Sequence, residues 1–329
     1  MRKHRRLAAA AAAAAILTPG LAGCGLLDDG PVTSADAQAA DVAPPNLPVT
    51  PPQGANGALL VDGGPKALEI RLDSDRRDPV RDSFTRPPTS GILVDLDSGE
   101  VLWRLRPVTP LPIASLTKIM TAILVAERSD ADEKVRISSR ARNVEGSKIG
   151  ILPKKKRVRL ETLLNGLMLV SGNDAAVALA EHVSGTERAF VDAMNERAEE
   201  ERLACTRFAS SSGIVDKGNR SCAVDLVAMA KLALEQPRVA RIMKRRRVVL
   251  PFPTKGGRIY LYGHNHLVKA GYPGALGVKT GYTDAAGRCF VGAAEQDGRR
   301  LAVVLLHSSN PGPQSMQLLD RGFRVLRRR

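Results

Sequence analysis

From about residue 90 onward, strand-type hydrophobic patterns occur first and again late in the sequence, and helix-type patterns lie between them. Residues 90–103, SGILVDLDSGEVLW, alternate apolar and polar side chains around a DSG turn, which predicts a β-hairpin. Helix-period segments follow, then further strand-type segments, and a last helix from about Gln314 to Leu326. Strands so far apart in the sequence must share one sheet, so the pattern predicts an α+β domain.

The individual segments follow from their hydrophobic period. The predicted helices are Ser115–Arg128, ETLLNGLMLV, DAAVALAEHVSG, FVDAMNERAEEERL and CAVDLVAMAKLALE. The predicted late strands are RVVLPF, RIYLYGHN, LGVKTGYT, GRCFVGAAEQ and RRLAVVLLHS. Between the first two helices lies a basic segment with little periodicity. The helices between the hairpin and the late strands could form an inserted all-helical subdomain, and the folded domain is expected to cover residues 86–329.

Residues 1–23 are predicted to be a secretory signal peptide. MRKHRR is a basic start, the Ala-rich stretch after it is apolar but too short to span a bilayer, and LAGC ends at Cys24. This ending resembles the lipobox of bacterial lipoproteins, which implies a lipid on Cys24 and an extracytoplasmic protein held at the bacterial cell membrane. The alternative is an N-terminal membrane helix that stays attached, which the Pro-Gly break inside the segment disfavours.

Residues 24–85 are expected to be a flexible tether. Up to about residue 65 the sequence is rich in Pro, Ala, Gly and Asp, with PVTPPQG as the clearest piece. Such a composition buries too little apolar surface to offset the entropy of ordering it. Residues 66 to 86 fit either of two alternatives, a part of the tether or an irregular lead-in to the domain.

The remaining cysteines would face an oxidising compartment. Cys205 and Cys222 flank the turn-rich stretch ASSSGIVDKGNRS, which brings chain ends together easily, so they are predicted to form a disulfide. Cys289 alternates like a strand residue and is expected to be a buried thiol. His264 and His266 are expected to be loop residues, and no His/Cys cluster has zinc spacing, so no metal or cofactor is predicted.

A net charge of +15 suits an anionic partner such as a cell-wall polymer or a lipid surface. Residues 153–160, PKKKRVRL, resemble a nuclear-import or nucleic-acid patch. A lipoprotein signal makes that destination implausible, and nucleic acid is not expected as a partner. The simpler interpretation is a solvated turn before a short strand, with a role in attraction to the wall.

Three short motifs carry the candidate chemistry, and their order and surroundings matter more than each alone. An S-x-x-K pair, Ser115 and Lys118, opens the first predicted helix; the i, i+3 spacing places a hydroxyl and an ammonium group on one face. An S-x-N element, Ser171 and Asn173, sits in a break between two helices. A K-T-G element lies on a late strand at residues 279–281.

This arrangement resembles the penicilloyl-serine transferase group, and most closely the serine-type D-alanyl-D-alanine carboxypeptidases, which are low-molecular-mass penicillin-binding proteins. The flanks ASLTKIMTA, LMLVSGNDAA and LGVKTGYTDAAGRCFVGAA add to the resemblance, which covers roughly residues 86 to 329. It implies the β-lactamase/transpeptidase-like fold, a mostly antiparallel sheet flanked by helices. It also implies removal of terminal D-alanine from peptidoglycan stem peptides ending in D-Ala-D-Ala, with β-lactams as inhibitors.

The resemblance also implies roles for individual residues. Ser115 would be the nucleophile and Lys118 its base, since apolar neighbours and a nearby cation depress a lysine pKa. Ser171 would relay a proton between Lys118 and the leaving amine, and Asn173 would hold Lys118 or the substrate amide. The substrate-binding residues would be Lys279, Thr280, Gly281 and Tyr282, the last through its backbone N–H as an oxyanion donor.

Two other activities of the same fold, transpeptidation and endopeptidase cleavage of cross-links, stay open because only the acceptor or leaving group differs. A catalytically silent, lipid-anchored wall-binding scaffold is a third alternative, but binding alone does not need the Ser/Lys pair. Two motif copies are out of order. ETLLN, residues 161–165, precedes S-x-N instead of following it, so Glu161 is not expected to be a deacylating base, and residues 308–310 follow K-T-G.

Overall fold

The computed structural model describes residues 65–70, 72, 77–150, 152–254 and 256–329. The predicted signal peptide, Cys24 and most of the predicted tether therefore lie outside the described residues. In the part of the chain that the structure describes, no helix combines the length and the apolar character needed to cross a membrane.

The elements largely follow the predicted segments. The strands are β1 Ser90–Asp95, β2 Val101–Leu105, β3 Leu111–Pro112, β4 Lys134–Arg136, β5 Arg157–Arg159, β6 Arg220–Ser221, β7 Arg247–Pro251, β8 Arg258–Tyr262, β9 Ala275–Thr283, β10 Gly287–Gln296 and β11 Arg299–Ser308. The α-helices are α1 Lys118–Arg128, α2 Ser139–Asn143, α3 Leu160–Leu169, α4 Asn173–Ser184, α5 Glu187–Glu200, α6 Ala223–Glu235, α7 Pro237–Met243, α8 His266–Ala270 and α9 Pro311–Arg327. A 3-10 turn, Ala114–Thr117, precedes α1.

The main sheet has five antiparallel strands in the order β2-β1-β11-β10-β9. The N-terminal hairpin joins the late strands through β1 and β11, where Ser90 lies opposite Leu306. The prediction that sequence-distant strands share one sheet is therefore confirmed, and the α+β class with it.

Helices cover both faces of this sheet. On one face α9 packs against β10 and β11, and its Leu318 and Phe323 join Leu305 in one buried cluster. On the other face α6 packs against β1 and β11, and α1 lies beside α6, α3 and α4 in a second, larger cluster. The helices α1 to α7 come between the N-terminal hairpin and the late strands in sequence, and the small β4–β5 pair lies among them.

Two of the predicted late strands do not join the main sheet. β7 and β8 pair only with each other and form a separate two-stranded sheet. A period-2 pattern predicts a strand but does not choose its partner, which explains the difference. α7 and α8 were not predicted, and His266, expected in a loop, is the first residue of α8.

Part of the segment 65–85, which the sequence leaves open between tether and lead-in, packs with the domain. Leu68, Ile70, Leu72 and Val80 are each under a tenth exposed. The Trp103 indole N–H also donates to Asp82 Oδ2 at 2.7 Å. Alternating apolar residues 68, 70 and 72 give this segment enough apolar surface to pack, even though its surroundings are polar.

The cysteines separate into a bonded pair and a single thiol. A disulfide joins Cys205 to Cys222 across the turn-rich stretch. Cys289 is a buried free cysteine on β10. Burial raises the pKa of its thiol to about 11, so it stays protonated at neutral pH.

Candidate active site

Ser115 lies at the start of the first helix, on the 3-10 turn rather than on α1 itself. The chain enters this turn through Ala114, whose φ is 47°. Gly213 lies directly against the Ala114 carbonyl, and a Cβ there would come within 2.0 Å of that oxygen. The turn is therefore held tightly from outside, and it leaves Ser115 partly exposed while Leu116 and Thr117 are buried.

Lys118, one turn later, is completely buried. Its Nζ lies 2.9 Å from Ser115 Oγ and 2.7 Å from Asn173 Oδ1. A third contact goes to the backbone carbonyl oxygen of Ser212. All three hydrogen-bonding directions of the amine are therefore used, and one of them points at the Ser115 hydroxyl.

The surroundings of Lys118 disfavour its charged form. Burial lowers its pKa well below the ordinary lysine value, and the nearby Lys279 ammonium lowers it further. The Asp174 carboxyl acts in the opposite direction. Burial also raises the pKa of Asp174 to about 6, so its negative charge is itself disfavoured there. A neutral amine can accept a proton, which an ordinary surface lysine at neutral pH cannot.

The S-x-N element forms the break between α3 and α4. Ser171 has a φ of 60°, which turns the chain sharply before Asn173 begins α4. The Asn173 amide nitrogen donates to the Glu145 carbonyl at 2.8 Å. Because the Asn173 nitrogen is used in that bond, it is the amide oxygen of Asn173 that faces Lys118.

Lys279 approaches from β9, in the middle of the K-T-G strand. Its Nζ donates to Ser171 Oγ at 3.0 Å and to the Thr280 carbonyl at 2.9 Å. Burial lowers the pKa of Lys279 to about 7. Ser171 thus receives its hydrogen bond from Lys279, whereas the sequence-based interpretation paired it with Lys118.

Gly281 allows β9 to pass close to the turn that carries Ser115. A Cβ at this position would lie 3.0 Å from the Ile113 carbonyl oxygen and 3.2 Å from the Ser115 backbone nitrogen. Both neighbours are backbone atoms, which cannot move aside as a flexible side chain would. A side chain at this position would therefore push strand and turn slightly apart.

These elements enclose an open cavity of about 350 Å³. Ser115, Ser171, Thr280, Gly281 and Tyr282 line it, so the three motifs meet around one space. His264, His266, Arg288 and Cys289 also line it. The Tyr282 side chain is 62% exposed at this cavity and donates to Asp284 at 2.9 Å.

Sequence reasoning did not identify three features of the site. The Ser212 carbonyl binds Lys118, but a backbone acceptor leaves no side-chain signal in a sequence. Thr283 Oγ1 donates to Asp216 at 2.8 Å and ties the end of β9 to the 212–218 loop. Arg288 faces the cavity from β10, opposite Tyr282 in the strand register.

The out-of-order motif copies do not reach the cluster. Glu161 lies in the first turn of α3, where its Oε2 is 3.9 Å from the Arg238 guanidinium. Ser308 binds Gln314 and the Asn310 backbone N–H, which places it at the start of α9. Neither contacts Ser115, Lys118 or Lys279 among the contacts of the described residues.

A partly exposed hydroxyl hydrogen-bonded to a buried lysine of lowered pKa is the arrangement that activates a serine nucleophile. The class that this fold and site define is the serine acyl-transfer enzymes with the penicillin-binding protein fold. The family model for D-alanyl-D-alanine carboxypeptidase (Peptidase_S11) matches residues 85–310. The chain belongs to this family.

Individual relatives agree with the family match. The chain is 35% identical over 275 residues to the D-alanyl-D-alanine carboxypeptidase DacF of Bacillus subtilis, covering 81% of this chain and 69% of that protein. It is 34% identical over 245 residues to DacB2 of Mycobacterium tuberculosis, covering 72% and 82%. The crystal structure of a D-alanyl-D-alanine carboxypeptidase from Mycobacterium tuberculosis superposes with a TM-score of 0.70 at 31% identity, covering 76% and 96%.

Proposed function

We propose that this protein is a serine-type D-alanyl-D-alanine carboxypeptidase in which Ser115 forms the acyl-enzyme. The observation that carries the proposal is the Ser115–Lys118 hydrogen bond of 2.9 Å, made inside a buried cluster that also contains Asn173. Binding alone would not require a buried lysine aimed at a hydroxyl, so the cluster supports catalysis rather than a silent scaffold.

The partners of Lys118 dictate how its neutral amine is oriented. The Asn173 Oδ1 and Ser212 carbonyl oxygens can only accept, so they take the two N–H bonds of the neutral amine. The lone pair is then left for the third direction, where the Ser115 hydroxyl lies. In this state Ser115 donates its hydrogen to Lys118, which is the arrangement a general base needs.

Acylation follows from that arrangement. Lys118 takes the Ser115 proton while Oγ attacks the carbonyl carbon of the penultimate D-alanine. The backbone N–H groups of Ser115 and Tyr282 stabilise the oxyanion, as the family resemblance implies. As the C–N bond breaks, the proton held by Lys118 passes to the leaving nitrogen, and D-alanine departs. The family resemblance implies Ser171 as the relay, although its hydrogen bond in the resting site comes from Lys279.

Deacylation uses the same groups in the same order. A water molecule takes the place of the leaving amine, Lys118 accepts its proton, and the hydroxide oxygen attacks the ester carbon. The proton then returns to Ser115 Oγ as the acyl bond breaks. A β-lactam would acylate Ser115 by the same first step, since ring opening replaces departure of the amine.

Lys279 and Thr280 would bind the terminal carboxylate of the peptide. Ser171 and Thr280 line the cavity, and the buried Lys279 ammonium is hydrogen-bonded to Ser171, so a carboxylate bound beside these two hydroxyls would lie close to that positive charge. A peptide lying along β9 would add main-chain hydrogen bonds to an edge strand of the sheet.

We also propose an extracytoplasmic location with a lipid on Cys24, supported by the lipobox-like LAGC. Residues 25–64 would then act as the tether between lipid and domain. Treatment of cells with a lipoprotein signal peptidase inhibitor should cause the uncleaved precursor to accumulate. A Cys24→Ala variant that is still processed to the same mature mass and stays membrane-bound would contradict this.

The activity is tested by D-alanine release from a synthetic stem pentapeptide, with the products separated by mass. Release of one D-alanine per peptide, abolished in Ser115→Ala, is the expected result. Ser139→Ala is the matched control, since Ser139 is an exposed serine of α2 that does not line the cavity. Products joined to an added acceptor amine in preference to water would instead indicate a transpeptidase.

A further inference from the structure

The β7–β8 hairpin presents an outer face that the proposed reaction does not use. Alternate residues of the two strands point to solvent, and they lie opposite each other in pairs across the strands. The pairs are Arg247 with Tyr262, Val249 with Tyr260, and Pro251 with Arg258. Tyr260 and Tyr262 are 61% and 59% exposed, although aromatics make up only 3% of the chain.

The other face of the hairpin is packed, so the two exposed tyrosines lie on its solvent face. The inner residues of the hairpin are buried or half-buried, and the Thr162 hydroxyl of α3 donates to the Pro251 carbonyl at 3.1 Å. The hairpin is therefore anchored to α3, and its outer face is exposed to solvent. A rigid array of rings and guanidinium groups needs little ordering when it binds a partner.

The sequence around this hairpin contains cations without anions. From residue 236 to residue 283 the chain carries lysines and arginines but no aspartate or glutamate. The segment 146–160, which contains PKKKRVRL, also lacks acidic residues. Its exposed Lys156 donates to the Pro253 carbonyl at 3.3 Å, so the basic segment lies beside the hairpin turn and extends the same positive surface.

This surface is connected to the active-site cavity by two residues of chain. Gly263 follows Tyr262 and donates its N–H to the Arg246 carbonyl at 2.8 Å. His264 donates its N–H to the Leu169 carbonyl at 3.1 Å and lines the cavity with Ser115. The hairpin therefore ends two residues before a residue that lines the cavity, a chain distance of roughly 7 Å.

We propose that the outer face of the β7–β8 hairpin binds the anionic sugar polymer that carries the stem peptides. Tyr260 and Tyr262 stack on sugar rings, and Arg247 and Arg258 pair with free carboxylates of the stem peptides that the polymer carries. This inference rests on the proposed function and adds a second contact to it. The hairpin captures the polymer, and the cavity receives one of its peptides.

The surface favours a polymer over a membrane or a nucleic acid. A membrane-docking hairpin would carry apolar residues at its tip, but here Phe252 is buried, and exposed Thr254 and Gly256 stand at the turn. Arg binds carboxylates in a bidentate manner, and an aromatic ring offers an apolar flat face to a sugar. Nucleic acid would meet the same charges, so it is included in the test.

The test uses three double variants of the soluble domain. Tyr260→Ser with Tyr262→Ser removes the rings, and Arg247→Gln with Arg258→Gln removes the charges. Arg324→Gln with Arg328→Gln is the matched control, because these exposed arginines lie on and just after α9, away from the hairpin. Each protein is assayed for D-alanine release from the free pentapeptide and from pentapeptide-rich peptidoglycan, and for co-sedimentation with the peptidoglycan.

Both hairpin variants should lower turnover and co-sedimentation with the polymer about tenfold. The free pentapeptide should be cleaved within about twofold of wild type, which also reports that the variants are folded. The control should match wild type in every assay. The inference is overturned if the hairpin variants bind and cleave the polymer as wild type does, or if the control loses as much.

Two additional measurements distinguish a different binding partner from a missing activity. If the hairpin variants lose binding to phosphatidylglycerol vesicles or duplex DNA and keep binding to the polymer, the face serves another partner and the inference is wrong. If the wild-type protein fails to cleave the free pentapeptide, the proposed function is wrong. Co-sedimentation of wild type and variants with the polymer then still decides the hairpin inference independently.

Discussion

The buried cluster around Lys118 and the outer face of the β7–β8 hairpin are both basic, but their side chains are held in different ways. In the cluster, Lys118 Nζ contacts three groups of the protein itself: Ser115, Asn173 and the Ser212 carbonyl. On the hairpin Tyr260 and Tyr262 are more than half exposed, and the arginines opposite and beside them face water.

The difference shows what burial does to a cation. Removal of water disfavours the charged form of Lys118, so a lysine becomes a base. The hairpin arginines face solvent and, because guanidinium stays protonated, keep the charge that an anionic polymer needs. One region is therefore suited to proton transfer and the other to capture, and the variants below act on one region at a time.

The largest effect is expected for Lys118→Ala. Loss of the base should lower acylation and D-alanine release by about 10² to 10⁴-fold. Lys118→Arg should not restore activity, because the guanidinium does not release its proton at any usable pH. The measurement is kcat/KM on the free pentapeptide for each variant.

Lys155→Ala is the matched control, since Lys155 is an exposed lysine of the basic segment. It should leave pentapeptide cleavage within about twofold of wild type. Equal losses in Lys118→Ala and Lys155→Ala would mean that burial of the lysine is not what matters.

Gly281→Ala should reduce the acylation rate by about tenfold. The new Cβ would press on the Ile113 carbonyl and the Ser115 nitrogen, which must shift slightly, and the effect should be smaller than the roughly 10²-fold loss that a displacement of about 1 Å causes. Benzylpenicillin acylation followed by stopped-flow fluorescence gives the rate, and thermal unfolding checks the fold. A folded variant that acylates at the wild-type rate would show that strand and turn can separate freely.

The pH dependence of kcat/KM reports on the charge of Lys279 in the free enzyme. Since the pKa of Lys279 is lowered to about 7, the ammonium that binds the terminal carboxylate is lost as the pH rises through that value. We expect kcat/KM for the pentapeptide to fall about tenfold per pH unit well above 7. A peptide whose terminal carboxylate is amidated should not show this fall; the same decline for both peptides would assign it to another group.

The smallest effect is expected for added salt. Charges on the exposed hairpin are screened beyond about 8 Å at physiological ionic strength, whereas the buried cluster is shielded from mobile ions. Cleavage of the polymer should fall about threefold more than cleavage of the free pentapeptide between low and moderate salt. Arg247→Gln with Arg258→Gln should lose this extra dependence, and its persistence would place the salt-sensitive contact elsewhere.

Local chemistry could be read from the sequence because it depends on spacing. The i, i+3 relation of Ser115 and Lys118 needs only a helical turn, and the structure supplies one, although the first part is 3-10. The hairpin at residues 90–105 follows from alternation and a turn in the same way. Residues 68, 70 and 72 also alternate, but the residues around them are polar, so the sequence leaves this segment open between tether and lead-in.

Long-range pairings could not be derived from the residues alone. Lys279 meets Ser171 across 108 residues, and only the family resemblance placed both in one site. The Ser212 carbonyl has no signal because any residue has one. The pairing of β7 with β8 outside the main sheet depends on what each strand packs against, which alternation does not encode.

The most direct test of the central claim is mass spectrometry of the soluble domain after exposure to benzylpenicillin, with peptide mapping of the modified residue. We expect one covalent adduct on Ser115 in wild type, loss of the adduct in Ser115→Ala, and slow or absent formation in Lys118→Ala. An adduct on another residue, or a folded wild-type protein that remains unmodified, would contradict the assignment of Ser115 as the nucleophile.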